Sequence, residues 1–79
     1  MIEQLRNMVQ DWVIKAGENG VERLAVGSGV SPSTIRDVIK TGHLPRARTI
    51  YRLALACGRD EEEARALAKQ RLSAARESA

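Results

Sequence analysis

The segment VERLAVGSGVSPSTIRDVIK, residues 21–40, decides the fold of this chain. Its pattern predicts a helix, a short turn and a second helix. Ser31 is a favourable N-cap, and Pro32 suits the first position of a helix, where a missing N–H is tolerated. Gly29 stands where a positive φ is expected, and Ala25 is small enough to let two crossing helices approach. We therefore predict two helices packed across one tight turn.

Apolar residues also recur every three or four positions outside this segment, which predicts further helices. One such stretch is residues 2–16, and a fourth helix is predicted at about residues 46–57. A fifth is predicted at about residues 60–75, where Asp60 serves as N-cap and the acidic residues after it suit a helix N-terminus. No strand pattern or repeat is visible. The sequence therefore predicts one compact all-α domain of five helices, residues 1–79.

The composition limits what such a domain can do. With 79 residues, of which 43% are hydrophobic, the chain can form one small core, and with no Phe that core must be mainly aliphatic. One His and one Cys supply neither a zinc site nor an internal disulfide, and no glycine-rich phosphate loop is present. We expect no catalytic residue, metal, cofactor or small-molecule ligand. Since neither a membrane span nor a signal peptide is visible, we expect a cytoplasmic protein.

The charge is unevenly distributed along the chain. The net charge is +3, but residues 31–59 hold six of the 13 Lys and Arg side chains and one of the 10 acidic ones. The excess of positive charge begins where the second helix of the quoted segment begins. A basic zone of this kind is expected of a surface that binds phosphate groups, although a solvated basic face would have the same composition.

The second helix of the quoted segment divides into an apolar and a polar face. At about 100° per residue, Ile35, Val38 and Ile39 share one face. The opposite face carries four polar residues, namely Ser33, Arg36, Asp37 and Lys40. Because helix-turn-helix proteins place such a helix in the major groove of DNA, the pattern predicts a DNA-binding surface.

Four residues are predicted to read bases: Ser33, Thr34, Arg36 and Asp37. Arg36 is the strongest candidate, because a guanidinium group can donate two hydrogen bonds to a guanine. Asp37 either accepts a hydrogen bond from a cytosine amino group or orients Arg36 or Lys40. The sequence leaves this choice open.

Five residues are predicted to contact phosphate groups: Arg23, Lys40, His43, Arg46 and Arg48. Lys40 lies late in its helix, and Arg46 lies at the start of the fourth helix, just beyond the loop. Contacts of this kind fix the register of a protein on the duplex without reading its sequence. Arg52 either adds a phosphate contact or forms an intramolecular salt bridge.

The chain resembles the Cro/CI class of phage repressors and the related small bacterial regulators of the XRE type. The resemblance covers roughly residues 5–58 and is carried by Leu24-Ala25, Gly29-Val30-Ser31, Ile35, Gly42, Pro45-Arg46 and the run Ile50-Tyr51-Arg52-Leu53-Ala54-Leu55-Ala56-Cys57-Gly58. It implies a lambda-repressor-like domain with a helix-turn-helix at about residues 21–41 that binds duplex DNA and represses transcription. In that family the first residues of the third helix read bases and the arginine after the loop proline contacts phosphate, which here implies Pro32, Ser33, Arg36, Asp37 and Arg46.

Two positions depart from the family's pattern. Members often carry a glutamine or a similar polar residue at the start of the second helix and again early in the third, where this chain has Val21 and Pro32. The phosphate contact of the second helix then falls to Arg23 and to backbone N–H groups near Gly20. Base recognition depends correspondingly more on the four predicted base-reading residues, which are Ser33, Thr34, Arg36 and Asp37.

The fifth helix is predicted to form a homodimer contact. One stripe of this helix is made of small and apolar residues, namely Ala64, Leu67, Ala68 and Leu72. The stripe has more apolar surface than a small core needs, although it would also serve to close the core of a monomer. Because one recognition helix reads only a few base pairs, we expect two copies on an inverted repeat.

The competing hypothesis is a helical protein-interaction module, such as an antitoxin or adaptor. DNA binding should weaken steeply with salt, whereas apolar protein binding should be nearly insensitive to it.

Overall fold

Five α-helices make up the computed structural model, which describes the backbone of residues 1–78 and the side chains of residues 1–73. They are α1 (Ile2–Ala16), α2 (Gly20–Ser28), α3 (Pro32–Thr41), α4 (Ala47–Ala56) and α5 (Glu61–Ser78). The described residues contain no strand. The prediction of a compact all-α fold with five helices is confirmed. α4 is one residue shorter than predicted at each end, and α5 extends further.

Local sequence signals determine both ends of α3. Ser31 is the N-cap, and its Oγ accepts a hydrogen bond from the backbone N–H of Thr34 at 3.2 Å. The turn that leads into it contains Gly29 with a φ of +74°, in the left-handed region that favours glycine. At the other end the helix stops at Gly42, whose φ is +71°. The cap and turn predicted for this segment are thus confirmed, and they fix where the exposed face of α3 begins.

The core is entirely aliphatic apart from one methionine, and no polar or charged side chain is buried among the described residues. It consists of Leu5, Met8, Val9, Leu24, Val30, Ile35, Val38, Ile50, Leu53, Ala54 and Ala64. Five further residues are partly buried at the edge of this core: Trp12, Val13, Ala25, Ile39 and Leu67. In a chain this short, the helices leave much of the apolar side-chain surface at the rim.

The stripe on α5 that was predicted to form a dimer contact divides between core and surface. Ala64 is fully buried, Leu67 and Ala68 are partly buried, and Leu72 is 52% exposed. The prediction is corrected for Ala64, because this side chain closes the core of the monomer where α5 packs along α4 and cannot meet a partner. Only Leu72 and the outer parts of its two partly buried neighbours remain accessible.

Over residues 1–78, no helix combines the length and the apolar composition that crossing a bilayer requires.

Candidate nucleic-acid interface

α3 is oriented by its apolar face. Ile35 and Val38 are completely buried, and Ile39 lies partly buried beside them. The opposite side, which we call the polar face of α3, carries Ser33, Arg36, Asp37 and Lys40, and all four side chains are exposed. The structure therefore brings together on one surface the four polar residues that helical periodicity placed there.

Thr34 lies at the edge of this face. Its side chain is partly buried, and its Oγ1 lies 2.9 Å from the Oγ of Ser31 in the cap at the start of α3. The hydroxyl group of Thr34 thus belongs to the capping arrangement of the free protein. Its assignment as a base-reading residue stays a prediction, and it is the least accessible of the four.

Arg36 forms an ion pair that links α3 to α2. Its Nη2 donates a hydrogen bond to Oε1 of Glu22 at 2.6 Å, a short distance typical of a charge-assisted bond. The two side chains are 45% and 52% exposed, so the pair lies at the surface. The sequence suggested Asp37 as a possible orienting group for Arg36 or Lys40, but in the described structure Asp37 forms no ion pair. Glu22 occupies that role towards Arg36 instead.

The sequence did not indicate Glu22 because the contact spans 14 residues and two helices. On α2 alone, Glu22 is an acidic residue in the first helical turn, where the helix dipole accounts for it. Its relation to Arg36 appears only when α2 and α3 cross. The contacts that Arg6 and Arg71 make near α3 likewise depend on how the helices pack.

Arg6 of α1 holds the C-terminal end of α3. Its Nε donates a hydrogen bond to the carbonyl oxygen of Val38 at 3.4 Å, and its guanidinium group lies against Gly42. A cation suits this end of a helix because the last carbonyl groups carry partial negative charge. No sequence signal singled out Arg6, since its contact depends on how α1 packs against α3.

Arg23, which was predicted to contact phosphate, has a structural partner in the free protein. Its Nη1 donates to the carbonyl oxygen of Ala16 at 3.2 Å, at the C-terminal end of α1. The side chain is exposed, so the remaining N–H groups of the guanidinium stay accessible to solvent. Its phosphate contact stays a prediction.

The loop between α3 and α4 and the first turn of α4 present the remaining predicted phosphate ligands. His43, Arg46 and Arg48 are exposed, while Pro45 between them is buried. The carbonyl oxygen of Pro45 accepts a hydrogen bond from Nε of Arg71 on α5 at 3.1 Å. α5 therefore fixes the loop that carries these cations, a role that the sequence did not reveal.

Ion pairing divides the basic zone, residues 31–59, into two groups. Arg36 and Arg59 face carboxylates, the first at 2.6 Å from Glu22 and the second at 4.0 Å from Glu63. The other four cations form no ion pair in the part of the chain that the structure describes: Lys40, Arg46, Arg48 and Arg52. Of the two alternatives for Arg52, the intramolecular salt bridge is thus not formed with any described residue. All four side chains are exposed, so their positive charge is directed to solvent.

No family model, curated protein or solved structure significantly matches the chain. The function must therefore be inferred from the arrangement described above: an exposed polar helix face, a cation tethered within it, and four cations, on that face and beyond it, that form no ion pair with a described residue.

Proposed function

We propose that the protein is a sequence-specific double-stranded-DNA-binding transcription regulator, a Cro-like repressor that occupies an inverted-repeat operator. The observation that carries this proposal is the polar face of α3 on a helix whose opposite face is locked into the core. The tight turn at Gly29 between α2 and α3 supports a helix-turn-helix, a motif whose second helix lies in the major groove. A lambda-repressor-like domain is part of the same proposal and rests on the resemblance of the motifs.

Base recognition is assigned chiefly to the polar face of α3. Arg36 offers the guanidinium fork that pairs with O6 and N7 of guanine, and Ser33 lies near the helix end that enters the groove. Asp37 supplies an acceptor for a cytosine amino group. This assignment favours a site with a guanine in each half-site.

Phosphate binding is assigned to the unpaired cations. Lys40 is the last residue of the polar face of α3, while Arg46 and Arg48 lie across the loop at the start of α4. His43 and Arg23 complete the predicted set. Charges that no described carboxylate neutralises attract phosphate groups without distinguishing sequences.

Two substitutions test the division between base recognition and phosphate binding. An operator is first selected from random duplexes, and Kd is then measured on that operator and on random DNA at several salt concentrations. We expect Arg36→Ala to lose about 1–3 kcal/mol of preference at one base pair. We expect Arg46→Ala to weaken binding to both duplexes equally and to reduce the salt slope by about one unit.

Arg65→Ala is the matched control, because Arg65 is an exposed cation on α5 that faces Glu61 at 3.6 Å. It should change neither preference nor salt slope. If Arg36→Ala and Arg46→Ala act identically on operator and random DNA, the division is wrong. If the wild-type protein binds no duplex and instead captures a helical protein with salt-insensitive affinity, the interaction-module hypothesis replaces the proposal.

A further inference from the structure

We propose that Glu22 is a positioning residue that sets DNA sequence preference through Arg36, an inference that rests on the proposed function. Among the described acidic side chains, only Glu22 forms an ion pair with a residue on the polar face of α3. Glu22 lies on α2, the helix that precedes α3, and its Oε1 is 2.6 Å from Nη2 of Arg36. In this assignment Glu22 touches no base itself. It acts by fixing the position of the Arg36 guanidinium group.

The hydrogen-bond inventory of Arg36 permits both contacts at once. A guanidinium group has five N–H donors, and the contact with Glu22 occupies one on Nη2. The donors that remain suffice for the two parallel hydrogen bonds that a guanine accepts. A free arginine side chain samples many rotamers and loses that freedom on binding, so a tether in the free protein reduces the entropy lost.

The tether is attached to a rigid part of the molecule. α2 is anchored by Leu24, which is fully buried, and by Gly20, which lies against the backbone of Val13. α3 is anchored by Ile35 and its own capped N-terminus. A functional group held between two fixed helices keeps its position better than one on a loop.

The charge of Glu22 has a second consequence. Together Glu22 and Arg36 are neutral, so Arg36 contributes little to general attraction for phosphate, which remains with the unpaired cations. Removing the carboxylate frees a cation and removes a repulsive anion. We therefore expect tighter binding to random DNA and weaker discrimination by the same variant, which are opposite changes.

Glu18 provides the matched control. It is an exposed glutamate in the turn between α1 and α2, four residues before Glu22, and it forms no ion pair with any described residue. Glu18→Gln changes the net charge by the same amount as Glu22→Gln. A comparison of the two variants separates the general effect of charge from the orientation of Arg36.

The experiment measures Kd for three duplexes: the selected operator, the same operator substituted at the base pair assigned to Arg36, and a random sequence. We expect both glutamine variants to bind the random duplex more tightly. Only Glu22→Gln should lower the ratio between operator and substituted operator, by about fivefold or more. In an Arg36→Ala background, Glu22→Gln should leave that ratio unchanged, because the two residues act as one unit.

The outcomes separate the inference from the proposed function. One outcome is that wild type prefers its operator, that Arg36→Ala loses this preference and that Glu22→Gln keeps it. The inference is then overturned, and the proposed function stands. If Glu22→Gln lowers the ratio even without Arg36, Glu22 does not act through the arginine and the inference is overturned as well. If wild type shows no sequence preference, both fail. Urea unfolding of each variant verifies that the fold is retained, as expected for two half-exposed side chains.

Discussion

Gly20 and Gly27 lie in the same helix, and their surroundings are opposite. A Cβ atom added at Gly20 would lie 2.5 Å from the carbonyl oxygen of Val13 on α1, whereas one at Gly27 would meet nothing within 4 Å. We expect Gly20→Ala to lower the free energy of unfolding by about 1–3 kcal/mol, because α1 and α2 must separate. We expect Gly27→Ala to raise it by about 0.5–1 kcal/mol, because glycine disfavours a helix interior. Urea unfolding measures both, and equal effects would contradict the close packing at Gly20.

This pair also shows what a sequence can specify at the scale of one residue. The sequence identified Gly29 as a turn glycine, because its neighbours encode the turn locally. It attributed the close helix approach to Ala25 and not to Gly20. Ala25 is only partly buried, whereas a close approach to the backbone of α1 lies at Gly20. Such a contact depends on where α1 crosses α2, which no local pattern records.

The protonation equilibrium of the Cys57 thiol is displaced by its surroundings. Burial raises the pKa of its thiol from 9.0 to about 11, and the nearby positive charge of Arg59 partly opposes that rise. Below pH 9 the thiol is protonated in both the folded and the unfolded chain. Between pH 9 and about 11 only the unfolded chain releases its proton, so unfolding becomes easier as the pH rises.

We therefore expect the wild-type protein to lose more unfolding free energy than Cys57→Ala between pH 8 and pH 10.5. Urea titrations of both proteins under reducing conditions measure the difference, and other groups that titrate in this range cancel in the comparison. Equal losses would show that the thiol is not held in its protonated form.

The protonated thiol also makes Cys57 a poor nucleophile at neutral pH.

At the scale of elements, α3 was predicted closely because its signals are local. Ser31 and Pro32 begin it, Gly42 ends it, and its polar face follows from helical periodicity alone. α5 has an equally clear start at Asp60, whose Oδ1 accepts the N–H of Glu63 at 2.8 Å, but it has no stop signal, and it runs beyond its predicted end. The sequence therefore predicted which residues α3 exposes. The side chains that hold those residues in place come from other helices and were missed.

Arg71 joins α5 to the loop that we propose to face DNA. Its hydrogen bond to the carbonyl oxygen of Pro45 joins α5 to the segment that carries Arg46. We expect Arg71→Ala to lower the free energy of unfolding by about 1 kcal/mol and to weaken binding to operator and random duplex equally. Arg65→Ala, which removes an exposed ion pair from the same helix, should change unfolding by less than about 1 kcal/mol. A change in base preference with Arg71→Ala would contradict this indirect role.

At the scale of the whole molecule, one copy of this domain is too small to specify a site. A single recognition helix reads only a few base pairs, whereas two helices related by a two-fold axis and about 34–36 Å apart read half-sites one turn of B-DNA apart. Leu72 on α5 is 52% exposed, an apolar side chain that the monomer leaves in water. With Leu67 and Ala68 partly buried beside it, this end of α5 is our proposed homodimer contact.

A positive charge at this position provides a stringent test. Leu72→Lys adds attraction for DNA, so any loss of operator affinity must come from loss of the dimer. We expect it to weaken operator binding strongly and to leave the free energy of unfolding within about 0.5 kcal/mol, because the side chain is half exposed. Gln70→Lys is the matched control, since it adds the same charge at an exposed position on the same helix without removing an apolar group. Sedimentation of the wild-type complex should show two protomers on an inverted repeat. If one protomer binds an isolated half-site at full affinity, the dimer is refuted, and specificity must then come from contacts within a single copy.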